Sequence, residues 1–202
     1  EITEGSYLLF GGIPTPIQFN HSYNTHWTSY ELGRVRTGVA DIKDIWEPAR
    51  FSWAGTLAQA YYLNHDEKYA AFFWDQFNSF IVNNPPNTGP NWMNGQEVAL
   101  RLISFVFAWQ AFSDSPKSTS ERISKLQGAL AAHARRIIST IPYARSQRNN
   151  HLLSEATGLY TAGLMLPNLP DARRWRRTGW NLFIQGMRDQ ITPSGGYIQQ
   201  SV

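Results

Sequence analysis

The sequence predicts an all-α chain of antiparallel helical hairpins behind a short extended arm. Three observations carry that prediction. From Asp44 onward apolar residues recur at spacings of three and four, no run after residue 43 is extended enough to build a sheet, and Pro- and Asn-rich joints separate the periodic stretches at ordinary loop lengths.

The arm takes residues 1–43. Ser6-Tyr7-Leu8-Leu9-Phe10 and Ile17-Gln18-Phe19 read as short extended runs, broken by Gly11-Gly12 and by Pro14 and Pro16, which predicts one hairpin and then a loop through His26-Trp27. The helical domain takes residues 44–202. Its first stripe is Trp46, Arg50, Trp53, Leu57 and Tyr61, with Pro48 in the first turn, where a missing N–H costs little. Tyr69, Phe73, Phe77 and Phe80 follow after Asn64-His65-Asp66, and Asn83-Asn84-Pro85-Pro86 ends that helix. Val98, Leu102, Phe105, Trp109 and Phe112 make the third stripe. The fourth, Ile123, Leu126, Leu130, Ala134 and Ile137, starts at the capping run Ser118-Thr119-Ser120-Glu121 and is expected to end at Pro142. Leu152, Ala156, Leu159 and Gly163 form the fifth, closed by Pro167 and Pro170, and Trp175, Leu182, Phe183 and Met187 the sixth. Helices apolar on more than one side suit burial in a layered ring or array, and a compact bundle fits them too.

Composition removes several classes of function. With 42% apolar and 16% charged residues the chain has enough to bury a core and is not a disordered tail. The longest apolar run, Leu102 to Trp109 apart from Ser104, is too short for a membrane span of about 20 residues. There is no Cys, which excludes disulfides, thiolate catalysis and Cys-ligated zinc. Walker, dinucleotide-glycine and G-x-S-x-G patterns are absent. No cofactor and no nucleic-acid partner are expected. The net charge of +3 hides an asymmetry: residues 1–100 sum to −5 and residues 101–202 to +8. A basic half invites an anionic partner.

The densest polar cluster is Arg145-Ser146-Gln147-Arg148-Asn149-Asn150-His151, running into the fifth helix. Two amides and an imidazole at the positive end of a helix dipole suit a carboxylate. Spacing alone favours the plainer reading, with Asn149 or Asn150 an N-cap and the arginines solvated. His151 and Glu155 share a helix face, but no further ligand is spaced to complete a metal site. Arg50 lies on an apolar face and reads as a buried ion pair or a ligand contact, while Glu97 and Arg101 form an i,i+4 pair. Asn91-Trp92 could stack on a sugar ring or pack within a loop. Arg173-Arg174-Trp175-Arg176-Arg177 reads as a solvated face that supplies half of the +8.

Taken in order, Trp46-Glu47-x-x-Arg50, Asn91-Trp92 with Glu97 and Arg101, Asn149-Asn150-His151 with Glu155 and Gly158, and Ser194-Gly195-Gly196 through Gln200-Ser201 resemble the heparinase II/III-like polysaccharide lyases. The resemblance runs from the arm to Val202 and implies an incomplete α/α toroid, followed in relatives by a β-sandwich domain absent here. It also implies β-elimination on an acidic polysaccharide, glycosaminoglycan or alginate-like, with no cofactor or metal. Asn150 and His151 would then neutralise the uronate carboxylate as catalytic residues. Asn149, Arg148, Trp92, Asn91, Arg50, Glu97, Arg101 and Glu155 would be substrate-binding. The family's catalytic tyrosine follows the segment resembling Gln199-Gln200-Ser201-Val202, and Tyr197 does not match its position. The chain is therefore expected to be a fragment, inactive alone, of a bacterial protein that is periplasmic or secreted. A non-catalytic helical module that binds anionic glycan or packs against a partner domain is the alternative. A glycoside hydrolase ranks third, because it needs a carboxylate pair and Glu47, Glu97 and Glu155 each have a basic neighbour.

Overall fold

A computed structural model describes residues 2–9, 12–19 and 21–198. The readings placed on Phe10, Gly11 and the run from Gln199 to Val202 lie outside the described residues. The arm forms a two-stranded antiparallel hairpin of β1 (Ser6–Leu9) and β2 (Ile13–Pro16), paired Ser6 to Pro16 and Leu9 to Ile13. The second strand is thus the proline-bearing segment and not Ile17–Phe19. Ile17 N–H bonds Gly5 O at 2.8 Å, so the odd-numbered residues face the ladder. Pro14 and Pro16 present their missing donors to the open edge, where a proline is tolerated.

Among the described residues eight α-helices follow: α1 (Thr28–Glu31), α2 (Lys43–Ala49), α3 (Ala54–Asn64), α4 (Lys68–Asn83), α5 (Gly95–Ala111), α6 (Ser120–Gln147), α7 (Asn150–Met165) and α8 (Ala172–Gln190). The fold class is the all-α one expected, and most residues of the periodic stripes fall on helices, with Arg50, Trp53 and Phe112 just outside helix ends.

Two boundaries differ from the sequence reading. The stripe from Trp46 to Tyr61 is not one helix, because Phe51 takes a left-handed backbone (φ 57°) between α2 and α3. Such a conformation is strained for a bulky residue. It lets the ring stack on Phe19 at 5.1 Å and meet Phe80 and Phe105 edge-on at 5.6 and 4.8 Å. Pro48 consequently lies near the end of α2, not in its first turn. Pro142 does not end α6, which runs on to Gln147. Ile137, Ile141 and Ala144 continue one buried face past the proline, and burying them offsets its helix penalty of about 3 kcal/mol.

The chain forms two compact units, residues 1–93 with 104–129, and residues 94–103 with 130–202. The first is centred on aromatic side chains, with Phe51, Phe73, Phe77, Phe80, Phe105 and Phe112 all at 0–1% exposure. The second is built on Val98, Leu102, Leu130, Ala134, Ile137, Ala156, Leu159 and Trp175. Within it α7 and α8 lie antiparallel at backbone contact. A Cβ on Gly163 would meet Arg176 N and Ala172 O, and one on Gly179 would meet Tyr160 N and Ala156 O.

A methyl group at Gly179 would stand 2.5 Å from Tyr160 N and 2.6 Å from Ala156 O, both backbone atoms that cannot swing aside. Gly179→Ala is therefore expected to destabilise the chain by about 1–3 kcal/mol despite the better helix propensity of alanine. Gly128→Ala, where a Cβ meets nothing within 4 Å, should instead gain up to about 1 kcal/mol. Urea midpoints of the two variants check the opposite signs.

Candidate functional site

The predicted polar corner forms at the start of α7. Asn149 is its N-cap, in extended geometry, and its Oδ1 accepts the His151 N–H at 3.0 Å. Arg148, just before it, has φ 47°, a left-handed turn that breaks the chain between α6 and α7. The ambiguity left by the sequence is thereby resolved at one position. Asn149 takes the capping duty, and the Asn150 side chain, exposed in the first turn, is not the cap. His151 is half-buried, with the Tyr143 ring edge-on to it at 6.5 Å. Burial holds the imidazole pKa below its ordinary value, while the nearby Glu97 charge pulls the other way. At neutral pH the ring is the uncharged form.

Beneath this turn lies a buried polar layer drawn from α5, α6 and α7. Glu97, Arg101, His133, Arg136 and Glu155 are all at most 5% exposed. Arg101 Nε donates to His133 Nε2 at 2.9 Å, which makes that ring nitrogen the acceptor. Full burial lowers the Arg101 pKa to about 9, with the Glu97 charge opposing the shift. Arg136 donates to Ser139 Oγ at 3.0 Å.

Glu155 has no exposed surface, and the space beside its carboxyl is closed by Gly95, where a Cβ would come within 2.6 Å of Oε1. Thr140 Oγ1 lies 2.8 Å from Glu155 Oε2 and 2.8 Å from Ile137 O. One hydroxyl proton serves one acceptor, so a Glu155 that carries its own proton satisfies both contacts at once. Burial pushes the Glu155 pKa up to about 7, against smaller lowering effects from the Thr140 hydroxyl and Arg136. Oε1 has no hydrogen-bond partner among the described residues.

Of the residues singled out by sequence, Arg148, Asn149, Asn150, His151, Glu155, Glu97 and Arg101 belong to this one unit. Arg50, Asn91 and Trp92 belong to the other. There Arg50 is ion-paired with Glu47. Trp92, 2% exposed, donates its indole N–H to Asn84 O at 3.1 Å, and Asn91 Nδ2 donates to Asn84 Oδ1 at 2.8 Å. The packed-loop alternative describes that pair. A cleft of about 960 Å³ lies in the same unit, lined by Tyr7, Glu47, Trp53, Thr56 and Tyr69 among others. It holds none of the α7 corner residues.

Sequence reasoning missed His133, Arg136 and Thr140. Their signal was present: spaced three and four apart, they run along the flank of the apolar stripe Leu130, Ala134 and Ile137. Gly95 was missed as well, because only the neighbouring helix shows why a side chain has no room there. Tyr197 donates its hydroxyl to Gln190 Oε1 at 2.9 Å, and Gly195-Gly196 makes the expected turn before it. Among the described residues no helix is long and apolar enough to cross a membrane.

Glu155 binds a proton in the folded chain that the unfolded chain releases above its ordinary value of 4.5. Stability should then fall as pH rises from about 4.5 through about 7, by a total on the order of 3 kcal/mol. Glu155→Gln, which keeps an acceptor for Thr140 and cannot ionise, should flatten that slope. Urea denaturation from pH 4.5 to 7.5 reads the difference.

Comparison with known proteins gives consistent relatives. The family model described as Heparinase II/III N-terminus matches residues 16–201. A heparin-sulfate lyase of Bacteroides thetaiotaomicron is 31% identical over 157 residues, covering 76% of this chain and 22% of that protein. One from Bacteroides stercoris is 26% identical over 201 residues, covering 90% and 28%. A crystal structure of a heparan sulfate lyase from Pedobacter heparinus matches with TM-score 0.74 at 21% identity, over 97% of this chain and 29% of that one. A heparinase III structure matches with TM-score 0.65 at 27% identity, over 80% and 28%. The structural likeness shows the fold, all-α and toroid-like in class. The chain spans about a quarter of the length of these relatives.

Proposed function

The chain belongs to the heparinase II/III N-terminus family, and on that premise we propose that it is the helical part of a polysaccharide lyase that cleaves a uronic-acid-containing polysaccharide by β-elimination. The observation that carries this reading is the first turn of α7. Asn149 caps the helix, and Asn150 and His151 follow it in the first turn, at the positive end of the helix dipole.

The chemistry asks for such a corner. The proton on the carbon beside a carboxylate is weakly acidic, and its removal builds charge on the carboxylate oxygens. Preorganised donors lower that barrier most when they sit at the developing charge. In this reading the Asn150 amide and an N–H of the neutral His151 ring hold the carboxylate, and Arg148 adds positive charge from the exposed side. A base takes the α-proton, the carbon–oxygen bond to the leaving sugar breaks, and an acid protonates that oxygen. Glu97, Arg101 and Glu155 are buried and support the turn from within its own unit, whereas the buried Asn91 and Trp92 and the Glu47-paired Arg50 are given no contact with the sugar. The proton-transfer tyrosine is not assigned to Tyr197, whose hydroxyl is engaged by Gln190. Further catalytic groups belong to the remaining length that the relatives have. Relatives from bacteria support a bacterial protein, which we place in the periplasm or outside the cell.

A hydrolase is not supported. Glu47 is paired with Arg50, and Glu97 and Glu155 are buried, so none of the three offers a solvent-facing carboxylate for an acid–base pair.

Replacing Asn150 or His151 by Ala in the full-length polypeptide should each lower kcat/KM on a uronate polymer by about 10²–10³-fold with an unchanged circular dichroism spectrum. Elimination creates a conjugated double bond, so ultraviolet absorbance follows turnover directly. Activity retained within a few-fold in both variants would leave this chain a non-catalytic module. The 202 residues alone should produce no such absorbance.

A further inference from the structure

The arginine-rich helix α8 carries more than a solvated face. Arg173, Arg176, Arg177 and Trp180 fall at i, i+3, i+4 and i+7, so they form one stripe, and all four are exposed. Tyr160 reaches the same place from α7, with its ring 5.5 Å from that of Trp180 at an angle of 40°. Together the five residues line a concave site of about 380 Å³. The backbone contact at Gly179, which seats α8 directly on Tyr160 N, sets the two rings side by side.

The charge in this site is uncompensated. Among the described residues, none of Arg173, Arg176 or Arg177 has an ionic or hydrogen-bonding side-chain partner, unlike Arg50 and Arg122, which pair with Glu47 and Asp75. Three guanidinium groups held within one turn repel each other and favour an anion between them. Trp180, 49% exposed, adds an apolar ring face that a plain solvated arginine stripe does not need. Planar guanidinium groups bind carboxylate or sulfate oxygens in pairs, while an indole or phenol ring packs on the face of a sugar.

We propose that Tyr160, Arg173, Arg176, Arg177 and Trp180 form a secondary binding site for an acidic polysaccharide, apart from the Asn150–His151 corner. The glycan class rests on the lyase reading above. Tyr160 follows His151 by nine residues on α7, so the two sites are separated by about 14 Å along the helix axis. A single anionic chain engaging both would be held by avidity, which affects polymer and not short fragments.

The test uses the full-length polypeptide and a heparin dodecasaccharide, with affinity measured by calorimetry across salt concentrations in a His151→Ala background. Arg173→Gln/Arg176→Gln/Arg177→Gln should weaken binding at least tenfold and make it less salt-dependent. Trp180→Ala should weaken binding about 5- to 30-fold with its salt dependence unchanged, as loss of a stacking face does. Arg174→Gln, on another side of α8, should change affinity less than twofold, and uncharged dextran should not bind. In the active protein the triple variant should raise KM on polymer and leave kcat and tetrasaccharide turnover unaltered.

Affinity within twofold of the parent in the triple variant and in Trp180→Ala overturns the proposal. So does an equal loss in Arg174→Gln, which would report net charge alone. Duplex DNA bound as tightly and with the same dependence on Trp180 overturns the glycan assignment in favour of nucleic acid. If the parent turns over no uronate polymer yet the variants lose dodecasaccharide binding as stated, the secondary site stands and the lyase reading falls.

Discussion

The backbone contact of α7 with its neighbours is the constraint on which the second unit depends. Gly158 lets α7 approach Ala99 of α5 to the point where a Cβ would be 3.0 Å from the alanine methyl, and Gly163 and Gly179 bring α8 to backbone contact on another side. A helix gripped in this way cannot shift by an ångström without a collision, since packed interiors leave no slack of that size. The first turn of α7 inherits that rigidity. So does Tyr160, three residues before the Gly163 contact and against Gly179. One packing decision thus positions two surface features that lie nine residues apart on the same helix.

Burial sets the electrostatics of this unit in a consistent direction. Desolvation is the leading influence on Arg101, His151 and Glu155 alike, and in each it favours the uncharged form. Arg101 nevertheless stays protonated at neutral pH and takes a neutral imidazole as its partner. Glu155 titrates near neutrality and His151 is uncharged there. The fixed positive charge around the corner then comes from exposed Arg145 and Arg148 at the surface and from the helix dipole. Such a division puts exposed positive charge at the rim, where a polyanion arrives, while the buried charges of Glu97, Arg101 and Arg136 lie beneath it.

The secondary structure was legible wherever a local rule decided it. The capping run before α6 holds, with Thr119 Oγ1 accepting Arg122 N–H, and α4 and α7 end just ahead of their proline-bearing loops. The break in the Trp46–Tyr61 stripe at Phe51 and the continuation of α6 past Pro142 depart from the sequence reading because local rules lose to long-range burial at both places. An aromatic cluster outweighs the strain of a left-handed phenylalanine, and a continuing buried face outweighs a proline. The candidate site was legible in part for the same reason. Asn149, Asn150 and His151 are contiguous, so their relation follows from one helix start. His133, Thr140 and Gly95 meet Arg101 and Glu155 from other helices, at separations that no spacing rule reaches.

Periodicity, punctuation and cap residues by themselves determined that the chain is all-α behind an extended arm, and that a polar corner opens the helix after Arg148. Those properties depend on neighbours within a turn or two, and the sequence records such neighbours directly. Tertiary structure alone decided that Glu155 lies beside Gly95 and Thr140 with a raised pKa, that Trp92 is interior, and that Arg173, Arg176 and Arg177 gather around two rings. Solvent exposure and the partners of a charge depend on which elements pack together, and packing brings side chains to a few ångströms across any distance in the chain.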